Sequence, residues 1–145
     1  MVTELSSFLS KWGAEEIGPR RLVIRVEKDK LREIVKELVS SDEMIYLSTV
    51  SAVDYPEKGV IELNYFFWSV SEKKGIIIKV EVPRDKPEID TITNILPGAN
   101  NAELEAYDLF GVVFKGNKSL RRGFLLPPDI VEAGIYPLRK DAKGV

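Results

Sequence analysis

Apolar positions recur along this chain with two different periods, and the switches between them outline its elements. In "DKLREIVKELVSS", Leu31, Ile34, Val35, Leu38 and Val39 fall three and four apart. That spacing predicts a helix with one apolar stripe and Asp29 as its N-cap. "RRLVIRVE" before it, and "MIYLSTVSAVDY", "VIELNYFFWSV" and "IIIKVEV" after it, are rich in β-branched and aromatic residues and predict strands. "PEKG" (56–59) and "SEKKG" (71–75) join the last three by turn chemistry, which makes them an antiparallel meander. Tyr65-Phe66-Phe67-Trp68 puts apolar side chains on both faces of its strand, one for the helix and one for something else.

A short first helix is expected from Thr3 to Trp12, stopped near Gly13, with Gly18-Pro19 breaking the chain before the first strand. "EIDTITNIL" is expected to form another short helix, ended by Pro97-Gly98. Asn100 stands three residues before Glu103, a capping-box spacing, so a last helix is expected over 101–110 with Gly111 terminating it. Beyond Gly111 the periodicity fades into glycines, prolines and basic residues. The fold class expected is α+β: a small, mostly antiparallel sheet with helices on one face, forming a body over 1–111, and an extended irregular tail over 112–145. No repeat or interdomain linker is evident, and 145 residues suit one domain.

Composition narrows the chemistry. The chain has no Cys and no His, which excludes thiolate nucleophiles, disulfides, cysteine-ligated clusters and Ser–His or Cys–His catalysis by its own residues. Acid–base work would fall to carboxylates, Lys, Arg and Tyr. Gln is absent and Met scarce while Lys, Glu, Ile and Val abound, a bias that resembles hyperthermophile proteins. No apolar run reaches the ~20 residues of a membrane span, and the N-terminal stretch lacks the parts of a signal peptide, so a cytoplasmic location is expected. The net charge of −2 is unevenly spread. Residues 115–145 hold seven Lys/Arg and three Asp/Glu, a net +4 on an otherwise acidic chain, which suggests a tail that meets something anionic.

One stretch, "ELEAYDLFGVVFKGNKSLRR" (103–122), concentrates the candidate chemistry. A phosphate loop is nearly spelled by "GVVFKGNKS", but Asn117 separates Gly116 from Lys118 and "LRRGFLLPP" does not continue as a helix. Glu105 and Asp108, three apart, could share a helix face for acid–base chemistry; the plainer account is that the acids favour a helix N-terminus. Basic pairs Arg20-Arg21, Arg121-Arg122 and Arg139-Lys140 beside aromatics could hold nucleic acid, against an acidic overall balance.

Glu103, Glu105, Tyr107, Asp108, Leu109, Phe110 and Gly111, followed by Gly116, Leu120-Arg121-Arg122, "LPPD" (126–129) and Pro137 to Asp141, together resemble the thirty-kilodalton subunit family of respiratory complex I and related membrane-bound hydrogenases. The likeness spans roughly residues 20 to 142. Leu104, Asn117, Gly123 and Ile130 depart from the family pattern; Leu104 stands where Arg is common, and Asn117 where His is frequent.

The resemblance implies a noncatalytic peripheral-arm subunit with no catalytic residue, cofactor or metal of its own. It implies partners too: a large [NiFe]-hydrogenase-like subunit, a small hydrogenase-like subunit and a ferredoxin-like iron–sulfur subunit, which would hold the NiFe centre and the iron–sulfur clusters. The residues implied to bind partners are Glu103, Glu105, Tyr107, Asp108, Phe110, Arg121, Arg122, Pro137, Leu138, Arg139, Lys140 and Asp141. Arginines would pair with partner carboxylates, and prolines would lower the ordering cost of a wrapping tail. Composition together with the resemblance favours an archaeal assembly, most of all a ferredoxin-dependent [NiFe] hydrogenase, with a sulfur-reducing relative or a NADH/quinone-type complex I as the alternative. The expected location is the cytoplasmic side of the cell membrane, with membrane contact only through the complex. A stand-alone nucleic-acid or anion-binding domain is the remote alternative.

Overall fold

The computed structural model describes residues 4–42 and 44–140. Helices run over Glu4–Lys11 (α1), Leu31–Ser41 (α2), Asn100–Phe110 (α3) and Pro128–Glu132 (α4). Strands run over Glu15–Gly18 (β1), Arg21–Val26 (β2), Ile45–Tyr55 (β3), Val60–Ser69 (β4), Lys74–Pro83 (β5), Glu88–Asp90 (β6) and Val113–Lys115 (β7).

Side chains that point alternately to opposite faces of β4 and β5 set the two sides of the main sheet. Ile61, Leu63, Tyr65 and Phe67 pair with Val82, Val80, Ile78 and Ile76, and all eight are buried. The meander β3–β4–β5 is antiparallel as expected, and β2 lies parallel to β5, so the sheet order is β1-β2-β5-β4-β3. The parallel pair extends the same core face through Leu22 and Ile24, opposite Ile76 and Ile78. Leu31, Ile34, Val35 and Leu38 of α2, Phe8 of α1, and Ala106 and Phe110 of α3 join that core, so the helices share one face. Gly18 pairs with Arg21, so Gly18-Pro19 belongs to the β1–β2 hairpin connection.

The aromatic block divides between faces. Tyr65 and Phe67 are core, whereas Phe66 and Trp68 are half-buried on the opposite face. There Trp68 pairs across the ladder with Gly75, and its ring lies over the space where a side chain would be.

Three local expectations are corrected. Asp29 does not cap a helix: it sits inside a tight 3₁₀ turn over Lys28–Lys30, and α2 begins at Leu31 without a side-chain cap. "EIDTITNIL" is not helical; Glu88–Asp90 forms β6, parallel to β7, and the chain then turns. Asn100 is itself the first residue of α3, entered from a 3₁₀ turn over Pro97–Ala99, so it caps nothing. Among the described residues the C-terminal segment is mostly irregular apart from β7 and the short α4, but the body runs past 111, since Val112 and Phe114 are buried in the core.

Candidate functional site

Of the three carboxylates on helix α3, two that stand five residues apart, Glu103 and Asp108, are at 0% exposure. A buried carboxylate needs donors, and each finds them in a different place. Glu103 accepts bonds from the Thr91 hydroxyl, the Ile92 backbone N–H (3.0 Å) and the Asn117 amide (2.9 Å). It thereby ties the turn after β6 and the turn after β7 to one helix. Burial pushes its pKa up, and these three donors oppose the rise without cancelling it. Tyr65 lies fully buried with its hydroxyl unpartnered among the described residues. Burial, then the Glu103 charge, hold that phenol well above its ordinary value.

Asp108 faces the C-terminal segment. It accepts backbone N–H bonds from Gly123 (2.9 Å), Leu125 (2.8 Å) and Leu126 (3.1 Å), and the Nε of Arg122 approaches to 3.2 Å. Burial opposes its charge most strongly of any single influence, yet the three backbone donors and Arg122 together outweigh burial and hold the pKa below the usual carboxylate value. The same Arg122 donates to the Ile135 carbonyl and stacks 4.0 Å from the Tyr136 ring centroid.

Gly111 makes room for that ring. Its φ of +80° ends α3 in the left-handed region, and a Cβ there would come within 3.2 Å of Tyr136. Farther on, the Leu138 N–H donates to the Leu109 carbonyl and Arg139 reaches the Phe110 carbonyl. The Lys140 N–H donates to Asp54 of β3 at 2.8 Å. Asp54 is 2% exposed and is gripped by both Nε (2.7 Å) and a terminal nitrogen (3.0 Å) of Arg84. That ion pair is the main reason its pKa is lowered, with burial opposing and the Lys140 N–H assisting.

The structure therefore sorts the residues implied to bind partners. Glu105, Arg121, Leu138 and Lys140 face outward, with the Arg121 guanidinium 5.9 Å from the Phe124 ring and the Lys140 ammonium 6.0 Å from that of Tyr55. Tyr107 and Pro137 are half-buried and Phe110 is core. Glu103, Asp108 and Arg122 turn inward and bond within this chain, because burial demands donors that the neighbouring loops supply. Asp141 lies outside the described residues. Glu105 and Asp108 do not form a carboxylate pair, since one is exposed and the other buried. Asn117, which departs from the frequent His, donates to both Asn100 and Glu103.

Sequence reasoning missed Asp54, Arg84 and Thr91. A charged residue at a core-facing position of an alternating strand was the available signal for Asp54. Among the described residues, no group of three or more Asp/Glu side chains is arranged to hold a metal ion. A groove of about 570 Å³ on the other side of the sheet is lined by Arg25, Lys28, Lys79, Glu62 and Glu81, and carries mixed charge. No described helix is long and apolar enough to cross a membrane.

Residues 24–145 match the family model described as "Respiratory-chain NADH dehydrogenase, 30 Kd subunit". The chain is 36% identical to a subunit of the F(420)H(2) dehydrogenase of Methanosarcina mazei, over 94% of this chain and 83% of that one. It is 31% identical to the beta subunit of the membrane-bound hydrogenase of Pyrococcus furiosus, over 94% and 75%. A chain from the structure of the membrane-bound sulfane sulfur reductase, an archaeal respiratory membrane complex, superposes with a TM-score of 0.85 at 31% identity, over 96% of this chain and 83% of that one.

Proposed function

Because the chain belongs to the respiratory-chain NADH dehydrogenase 30 kDa subunit family, we propose that it is a noncatalytic peripheral-arm subunit of a membrane-bound, ion-translocating oxidoreductase. In this reading it stabilises a large [NiFe]-hydrogenase-like subunit beside a small hydrogenase-like subunit and a ferredoxin-like one. Those partners carry the NiFe centre and the iron–sulfur clusters, on the cytoplasmic side of the membrane. The observation that carries the proposal is the match over 96% of the chain, C-terminal segment included, to a chain of a respiratory membrane complex. Outward-facing Arg121, Leu138 and Lys140 supply the contact chemistry.

The complex proposed is a ferredoxin-dependent hydrogenase, supported by the hyperthermophile-like composition and the likeness to the Pyrococcus hydrogenase subunit. A second reading, an F420H2-oxidising relative, is favoured by the 36% identity to the Methanosarcina subunit. An affinity-tagged chain recovered from detergent-solubilised host membranes separates them. Copurification of hydrogenase-like subunits with hydrogen evolution is expected, and F420H2 oxidation instead would replace the first reading by the second. Arg121→Ala should lower recovery of the partners without unfolding the chain. A tagged chain found alone in the soluble fraction would sink both readings.

A further inference from the structure

Two buried carboxylates hold the ends of one segment. Asp108, on α3, takes three backbone N–H groups and the guanidinium between residues 122 and 126. Asp54, in the core-facing row of β3, takes the N–H of Lys140. Between these points Arg122 spans to Ile135 and Tyr136, and Tyr136 packs on Gly111. Both carboxylates sit on elements that the apolar core already fixes, so they are in place before the segment reaches them. A carboxylate that receives several backbone N–H groups sets the path of the backbone itself, whichever side chains that backbone carries.

We infer that residues 122–140 form a strap that is closed in the free chain, with Asp108 and Asp54 as its clasps, and that the closed strap is the form that docks. Closure in advance removes the ordering cost that a loose tail would meet on binding. It also fixes what the strap shows. Leu125 and Leu138 are each 53% exposed although their backbones are bonded to the body, the exposed charges at the two ends, Arg121 and Lys140, are positive, and Asp129 and Glu132 are exposed between them. The surface this fits is an apolar patch on a partner protein with carboxylates opposite the two ends of the strap. Only this docking half rests on the proposed function; the clasps do not.

The test is NMR-detected amide exchange on the purified full chain without partners. The amides of Gly123, Leu125, Leu126 and Lys140 should be protected at least about tenfold over an unstructured peptide. Asp108→Asn should remove on the order of tenfold protection from the first three while β4 and β5 amides keep theirs. Asp54→Asn should do the same at Lys140, and if loss of the Arg84 partner prevents that variant from folding, the wild type and Asp108→Asn still decide. Unprotected strap amides in the wild type, or unchanged protection in Asp108→Asn, would overturn the clasps. Leu125→Asp and Leu138→Asp should keep strap protection yet reduce partner recovery at least about tenfold. Unchanged recovery in both would overturn the docking half and leave the clasps standing.

Discussion

The sheet body and the C-terminal strap are held by different forces. In the body, Ile61, Leu63, Ile78 and Val80 are completely buried, each such side chain contributing about 1.5–3 kcal/mol by leaving water. From 115 to 140 no residue reaches that level of burial, yet the path is pinned by hydrogen bonds to Asp108, Asp54, Leu109 and Phe110. Apolar burial is non-directional and tolerates many sequences. Bonds to one carboxylate are directional and depend on single atoms. The body therefore resists change by bulk, and the strap by geometry.

The largest expected effect sharpens this contrast. Leu63→Ala opens a cavity between β4 and the helices and should cost about 2–5 kcal/mol in urea unfolding. Asp108→Asn should move the same transition much less. Equal losses would mean that strap and body unfold as one unit, and the distinction would fall.

Gly111→Ala probes the joint between the two regions. Its φ of +80° disfavours a Cβ by about 1–2 kcal/mol, and the approach of Tyr136 to 3.2 Å adds a clash. The loss should appear in the global midpoint and also as faster exchange around Tyr136. A Gly111→Ala protein as stable as wild type would show that neither the backbone conformation nor the ring contact matters.

The smallest effect separates the two buried acids of α3. Asp108 has a lowered folded-state pKa, so its contribution is whole above the ordinary carboxylate range and is lost as pH falls through the folded value. Glu103 has a raised one, so the folded state holds its proton more tightly and stability declines as pH rises from the ordinary value through the folded one. Urea midpoints measured from about pH 2 to 7 should flatten on the rising side for Glu103→Gln. Over the falling side, Asp108→Asn should lose less than wild type. Matching pH profiles for the two variants would contradict the opposite signs.

How much is legible in the sequence follows the same division. The β3–β4–β5 meander and α2 can be read because alternation and helical spacing report burial, and burial builds those elements. The residues around β6 mislead because Ile89, Ile92 and Ile95 recur every third position as on a helix, whereas Thr91 turns out to donate to Glu103. Glu103 and Asp108 look like acids for a partner because spacing does not reveal that loops distant in sequence supply their donors. The strap is opaque for a simple reason. What holds it is largely backbone N–H, a group every residue but proline carries.

The parallel pairing of β2 with β5 has a consequence for how the chain comes together. Residues 21–26 meet 75–80, while β3, β4 and β5 meet through short turns. Closing a long loop costs more entropy than closing a short one, so local hairpins are favoured as the early events. On a ribosome, Leu22, Val23 and Ile24 leave the exit tunnel well before Ile76 to Ile78 exist. Until then a strand destined for the interior has its hairpin neighbour and α2 to shelter it, and the exposed Arg21 and Arg25 on it disfavour pairing of that nascent edge with another chain.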